Sequence, residues 1–507
     1  MAPVMGPVLG FRGQDGNNWN VSALFVLKDD DAGQQLEWAL DGSGQSSIAG
    51  DLLKTFEGKT VVCYEISVPL GTDEQTATYA LDGSPGTVWR FVTPAIGNTP
   101  RMAYASCNGF SDPKYIKQVD DKNALWTELS KVHAGDNGPF HLMLLGGDQV
   151  YADQIWEAVP SIKEWIEIKR DDRVGLPFND DMRDEVEAFY FNLYCERWNQ
   201  KEVKKAFASI PTVMMWDDHD IFDGWGSYPI DLQTCEVYKG IFKHARDHFA
   251  IFQQHIDSGD AHPAALPGQS GFTLGYKVGG VAILALDMRS ERTMDQVLGT
   301  DTWNALVNWV SGTTGGDSQH LLVMSSIPVA HPDLSWGESV LGWIPGQQEL
   351  EDDLRDHWNS PAQKGERLRL VHRLFKTAHD NRIRITLLSG DVHVAALGAI
   401  ETRRYDNLAS IPLNSDVINQ LTSSAIVHPA PPGIMNIFYE LLGRGEQEVD
   451  RGITIKMLKF PGANERFITA RNWLSLIPDE GEGGRLWANF HIEKEPRPYT
   501  KVIHPVI

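Results

Sequence analysis

Five short apolar runs in this 507-residue chain end in residues that can bind a metal or move a proton. RMAYAS leads into Cys107-Asn108, HLMLL into Gly146-Gly147-Asp148-Gln149-Val150-Tyr151, and PTVMMW into Asp217-Asp218-His219-Asp220. VAILAL leads into Asp287-Met288-Arg289, and RIRITLLS into Gly390-Asp391-Val392-His393. Carboxylate, imidazole, thiolate and phenolate are metal-ligand and acid–base groups. Taken singly, each cluster has a plain reading. Gly-Asp after an apolar run is usually a turn or a cap. A lone Cys107 is a small buried hydrophobe, a lone His is structural, and Arg289 pairs with Asp287. Together the five are hard to explain as coincidence. Three adjacent carboxylates beside a His at 217–220 repel one another unless a cation neutralises them.

Apolar runs of this kind read as strands buried on both faces of a largely parallel sheet. Amphipathic stretches lie between them, at 181–207, 238–255, 366–381 and 433–444, and read as helices. That alternation predicts an α/β domain, in which ligands bind beyond the carboxyl ends of the strands. Residues 1–98 differ. Short β-rich runs (SALFVL, TVVCYEISVPL, ATYAL, TVWRFVTP) are separated by Gly, Asp, Asn and Ser. They predict a small all-β N-terminal sandwich domain. The division is then 1–98 for that domain and 99–507 for the catalytic domain, with core motifs at 101–400 and a C-terminal elaboration at 401–507.

The chain carries 68 Asp plus Glu against 45 Lys plus Arg, a formal charge of −23. That balance argues against general nucleic-acid binding, which needs a basic field. It leaves room for an anionic substrate where bound cations make a site locally positive. Four cysteines without a CxxC pair exclude a disulfide scaffold. The N-terminus lacks the basic and apolar regions of a secretory signal, and no apolar run is long enough to span a bilayer. The expectation is a cytoplasmic protein without membrane insertion. No GxxxxGK[ST] or strand-following GxGxxG points to a P-loop or dinucleotide fold.

The motif set resembles the alkaline phosphatase D, or PhoD-like, branch of the metallophosphoesterases. GDQVYAD is similar to GDxxY, WDDHD to the branch's form of GNH(D/E), and SGDVH to the final GHxH. ASCN stands in place of the usual DxH, and ALDMRS fits the same branch. The resemblance implies a metallophosphoesterase-like β-sandwich flanked by helices in four α/β/β/α layers, with the small all-β domain before it. It implies a binuclear metal centre. Asp148 would bridge the metals, and Cys107, Tyr151 and His393 would complete the first site. Asp218 and Asp391 would join Asp148 at the second, with Asp217 and Asp223 as further ligands. Thiolate, phenolate and carboxylate together favour Fe(III), with zinc as an alternative. The second site, where Ser326 stands in place of a family His, favours a hard cation: Ca, Mg or Mn.

The implied reaction is hydrolysis of a phosphate ester, a small-molecule monoester or a phosphodiester, by a metal-bridging hydroxide. His219 would assist the leaving group, and Asp220 would orient His219 or else cap a turn. Arg289 and Asn108 would contact phosphate. His331, Arg471 and Asn472 carry no assigned role. Two other classes remain open. One is a non-catalytic, metal-stabilised protein that binds a partner through its β-domain, and the other is a hydrolase with Cys107 as nucleophile. Nothing in the sequence fixes an oligomeric state.

Overall fold

The computed structural model describes residues 2–506 except 42–43, 83–86, 136–137, 314–315, 317, 333–357, 359, 405–413, 432–439, 441–442, 480 and 482. Most of the helix expected at 433–444 lies outside the described residues. Two large sheets form the centre. The first has ten strands in the order Tyr499–Ile503, Leu486–Ile492, Asn472–Pro478, Met102–Ala105, Leu142–Gly146, Thr212–Met215, Met5–Asp15, Asn18–Lys28, Lys59–Pro69, Asp51–Phe56. The second contains the parallel run Val281–Ala285, His320–Met324, Arg384–Ser389, Val417–Ser423.

Residue parity dictates the layering. Side chains alternate faces along a strand. Met102, Tyr104, Leu142, Leu144, Val213 and Met215 point inward and share one core with Ile283, Ala285, Leu322, Met324 and Leu388 of the other sheet. The opposite parity, Ala103, Ala105, Met143, Leu145 and Met214, packs against Trp126, Phe191, Tyr194, Trp198 and Phe207. Those aromatics come from the helices Ala124–His133, Asp180–Trp198 and Lys201–Phe207. On the far side Ala282, Leu284, Leu321, Val323, Ile385 and Leu387 meet Trp303, Leu306, Leu370 and Phe375. These belong to the helices Thr300–Ser311 and Pro361–Asn381. The result is the four-layer sandwich. Burial on both faces is why the strands read as unbroken apolar runs. Helix starts are set locally: the Asn179 side chain accepts the Met182 N–H, with Asp180 and Asp181 in the first turn.

Among the described residues of 1–98, the regular elements are strands apart from the single 3-10 turn Asp29–Asp31. Residue 98 marks a change of pattern rather than a break in the sheet. Met5–Asp15 pairs in parallel with Thr212–Met215 at Gly10↔Thr212, so the N-terminal strands extend the ten-stranded sheet. The separate four-stranded sheet Ser46–Ile48, Leu36–Leu40, Gln75–Leu81, Trp89–Thr93 sends Leu36, Tyr79 and Phe91 into the same core. The C-terminal strands complete the opposite edge through Asn472–Pro478 on Met102–Ala105. Among the described residues no helix is long and apolar enough to cross a membrane.

Candidate metal centre

The carboxyl ends of the two parallel runs meet at one rim of the sandwich. A side-chain carbon on Gly390 would lie 2.5 Å from Ser106 Oγ and 3.2 Å from the Gly146 carbonyl, so the rim tolerates no bulk there. The chain turns sharply to aim these side chains at the rim. Cys107, Asp148, Asp391 and His393 all take positive φ, between 53° and 67°. Left-handed backbone is uncommon for non-glycine residues and costs on the order of 1–3 kcal/mol each, so it marks positions held by their surroundings. Gly147, at φ 97°, makes the turn before Asp148, where a Cβ would sit 2.8 Å from Asp217 Cβ.

Cys107 Sγ lies 3.4 Å from Asp148 Oδ2, and Tyr151 packs against Cys107 with its hydroxyl 3.4 Å from His393 Nε2. All four are buried. Burial, then the nearby Asp148, pushes the Cys107 thiol well up, and burial with Cys107 and Asp148 does the same to the Tyr151 phenol. Burial also raises Asp148, with Asp217, Asp218 and Asp220 adding to the shift and His219 opposing it. Beside this set, carboxylate oxygens of Asp217, Asp218 and Asp391 lie within 4.8 Å of one another, as do ligand atoms of Asp148, Asp218 and His219. Asp148 Oδ1 and Asp217 Oδ2 are buried without a hydrogen-bond partner. Buried anionic oxygens are stable only when paired or metal-bound. The donor set therefore fits cations: sulfur, phenol, imidazole and carboxylate on one side, and carboxylate oxygens with the His219 imidazole at their edge on the other.

A sequence profile of PhoD related phosphatases matches residues 70–345 and 338–442. The chain belongs to this family. Its class of chemistry, phosphoester hydrolysis, is the family's. The uncharacterized protein YGR266W of Saccharomyces cerevisiae is 28% identical over 500 residues, covering 82% of this chain and 70% of the yeast one. The solved structure of PhoD superposes with a TM-score of 0.59 at 14% identity, over 98% of this chain and 90% of that one. The purple acid phosphatase PPD1 from yellow lupin (Lupinus luteus) seeds gives 0.51 at 10% identity, over 97% and 73%. These two share the fold.

In this PhoD related phosphatase His219 is held by a residue that adjacency in sequence did not suggest. Its Nδ1 lies 2.9 Å from both carboxylate oxygens of Asp153, and its ring stacks on Tyr151 at 4.4 Å. Burial disfavours an imidazolium, yet Asp153 above all, with Asp218 and Asp148, holds the His219 pKa well above its usual value. Asp220 is the cap, not the orienter. Its oxygens accept the backbone N–H groups of Asp148, Gln149, Val150 and Asp217 and the side-chain amide of Gln253. That carboxylate ties the two acidic loops together. The Asp223 N–H in turn supports Asp153 at 2.8 Å.

Two expected phosphate contacts are committed elsewhere. Arg289 is fully buried. Its Nε donates to Asp217, its Nη2 to Asp218 Oδ1 at 3.2 Å and its Nη1 to the Trp225 carbonyl at 3.0 Å. It is an internal counter-charge for the acidic cluster. Its expected partner Asp287 instead caps its own loop, accepting the N–H groups of Arg289 and Ser290 and the Trp216 indole. Asn108 Oδ1 accepts from Trp126 and Arg197, and Nδ2 donates to the Gln149 carbonyl, so its amide braces the helix layer. Arg471 pairs with Glu493, and His331 contacts Arg367. Two residues beyond the expected set also belong to the site. His428 stacks on His393 at 3.9 Å, and Ser424 Oγ lies 3.0 Å from Cys107 Sγ.

Proposed function

We propose that this PhoD related phosphatase hydrolyses phosphate monoesters, diesters or both at a binuclear centre. Cys107, Asp148, Tyr151 and His393 would hold Fe(III). Asp148, Asp218 and Asp391, with Asp217, would hold a divalent Ca, Mg or Mn. The bound pair would supply positive charge to the phosphoryl oxygens and lower the pKa of the attacking water. Asp148 would be the residue common to both sites. His219 presents Nε2 to the leaving oxygen and gives it a proton while Asp153 holds Nδ1. Arg289 keeps Asp217 and Asp218 from repelling each other apart.

The observation that carries this reading is Asp148. One oxygen is 3.4 Å from Cys107 Sγ, the other is buried without a partner, and Asp218 and His219 stand within reach. A Cys107 nucleophile is disfavoured, because reactive thiols are exposed and have lowered pKa values. Cys107 is fully buried, with its pKa pushed the other way.

Elemental analysis with an esterase screen tests the reading. About one equivalent of iron with a hard divalent ion is expected from the donor set. A chelator should abolish hydrolysis of p-nitrophenyl phosphate or bis-p-nitrophenyl phosphate, and the same metals should restore it. A metal-stripped protein with full turnover would refute the proposal. Zinc in place of iron would revise only the first metal.

A further inference from the structure

The strand Val417–Ser423 ends in a segment that wraps Cys107. Ser106 Oγ donates to the Ser423 carbonyl at 3.1 Å, and the Ile426 N–H donates to the Ser106 carbonyl at 3.0 Å. The N–H groups of Val427 and His428 both point at the Cys107 carbonyl, at 3.3 and 3.4 Å. Asn472 locks the segment from the next strand: its Nδ2 donates to the Ser424 carbonyl at 2.6 Å, and its Oδ1 accepts the Ser423 hydroxyl at 2.7 Å. Ser424 therefore has a fixed place, and it is fully buried.

Its hydroxyl touches two ligands of the first metal at once. Ser424 Oγ accepts the His393 backbone N–H at 3.2 Å and lies 3.0 Å from Cys107 Sγ. A hydroxyl has one hydrogen and two lone pairs. With one lone pair facing the His393 N–H, the hydrogen is free to point at sulfur, and a metal-bound thiolate has none to give back. We infer that Ser424 is a positioning residue of the metal centre, whose hydroxyl donates to the Cys107 thiolate and sets how strongly that sulfur gives electron density to the cation. The inference rests on the proposed metal-binding role of Cys107. Outer partners of this kind orient metal ligands and tune them, and their loss typically weakens metal binding by about 10–100-fold.

The direction of the effect is fixed by chemistry. A hydrogen bond withdraws charge from sulfur and lowers its donor orbitals. Without it the sulfur-to-metal charge-transfer band moves to longer wavelength.

The test uses the 507-residue chain stripped by chelator and titrated with cobalt(II). Wild type should develop a thiolate-to-cobalt band, and Cys107→Ser should lack it. Absence of the band in wild type would overturn the metal-site reading and this inference with it. Given the band, Ser424→Ala should shift it to longer wavelength and weaken cobalt binding about 10–100-fold. Ser424→Thr, which keeps the hydroxyl, should restore both. A Ser424→Ala band at the wild-type position, or a Ser424→Thr band that matches Ser424→Ala, would overturn the inference while leaving the metal site standing. If Ser424→Ala does not fold, Ser424→Cys serves: its weaker S–H donor should give a smaller shift in the same direction, and no shift would count against the proposal.

Discussion

The pair His219–Asp153 offers the sharpest test of how catalysis is arranged. Asp153→Asn keeps the shape, and one hydrogen bond to Nδ1, while removing the charge that stabilises an imidazolium. The distance is 2.9 Å to each carboxylate oxygen, with side-chain exposures of 5% for His219 and 10% for Asp153. A charge pair at that distance in an effective dielectric of about 20 interacts by at most about 6 kcal/mol. The net worth of a charge-assisted hydrogen bond sets the floor, about 1.5 kcal/mol. The midpoint, about 3–4 kcal/mol, corresponds to a kcat loss of about 10²–10³-fold. The loss should depend on the leaving group. p-Nitrophenolate departs without a proton and needs His219 little, whereas an alkoxide needs it in full. Asp153→Asn should therefore cut turnover of an alkyl phosphate far more than that of p-nitrophenyl phosphate. Bound metal should be unchanged, since Asp153 is outside the proposed ligand set. Equal losses on both substrates would refute leaving-group protonation by His219. No loss on either would refute the pairing as a functional device.

Arg289→Met should destabilise the protein by about 3–5 kcal/mol, because it strands Asp217 and Asp218 as buried charges without their partner. Denaturant unfolding measures this, and a loss below about 1 kcal/mol would show that the guanidinium is not their counter-charge. Acid should unfold the protein through buried histidines outside the proposed ligand set. Burial lowers the pKa of His133, His248 and His320 to about 4 and of His255 to about 3. In the unfolded chain they titrate near 6.5, so between about pH 6.5 and 4 the unfolded state binds up to four more protons and stability falls as pH falls, by at most about 5 kcal/mol per pH unit. Stability that stays flat across that window would contradict the burial of these rings. Metal removal should lower the melting temperature, since free metal at about 100 times Kd adds about 2.7 kcal/mol to the folded state. An unchanged melting curve after stripping would argue against tight binding at the rim.

How much of this was legible in the sequence depends on where each residue sits relative to its strand. Cys107, Asp148, Asp217, Asp218, Asp391 and His393 directly follow runs buried on both faces, and such runs announce themselves by unbroken hydrophobicity. Ser424 and His428 follow a strand that does not. VINQLTS is interrupted by polar side chains, and Gln420 is buried because its Oε1 accepts the N–H groups of Val329 and Ala330. Internal satisfaction of a buried amide cannot be read from composition. Asp153 is two residues from Tyr151 and went unassigned, because its partner lies 66 positions away. Asp220 had two readings, orienting His219 or capping a turn, and sequence adjacency could not choose between them; the 3-10 turn Asp218–Asp220 carries its carboxylate back onto backbone N–H groups and selects the cap. The N-terminal strands were legible as strands. Their union with the central sheet was not, since a single parallel pairing, Gly10↔Thr212, leaves no local periodic signal.

The placement of the proposed ligands on both sheets explains why so elaborate a fold surrounds the site. Cys107, Asp148, Asp217 and Asp218 hang from the ten-stranded sheet, and Asp391 and His393 from the other. Neither sheet alone can assemble the set. The distance between the two groups is fixed by the shared apolar core, to which Leu144 and Met215 contribute from one sheet and Leu322 and Leu388 from the other. Native cores are packed densely enough to transmit a lost methylene. The spacing at the rim is therefore a property of that core as much as of the loops. This also resolves the acidity of the chain. The carboxylates that matter are buried where opposing walls, Arg289 and, on the proposed reading, bound cations would convert them into a receptor for phosphate. The rest of the net charge of −23 need play no part in recognition.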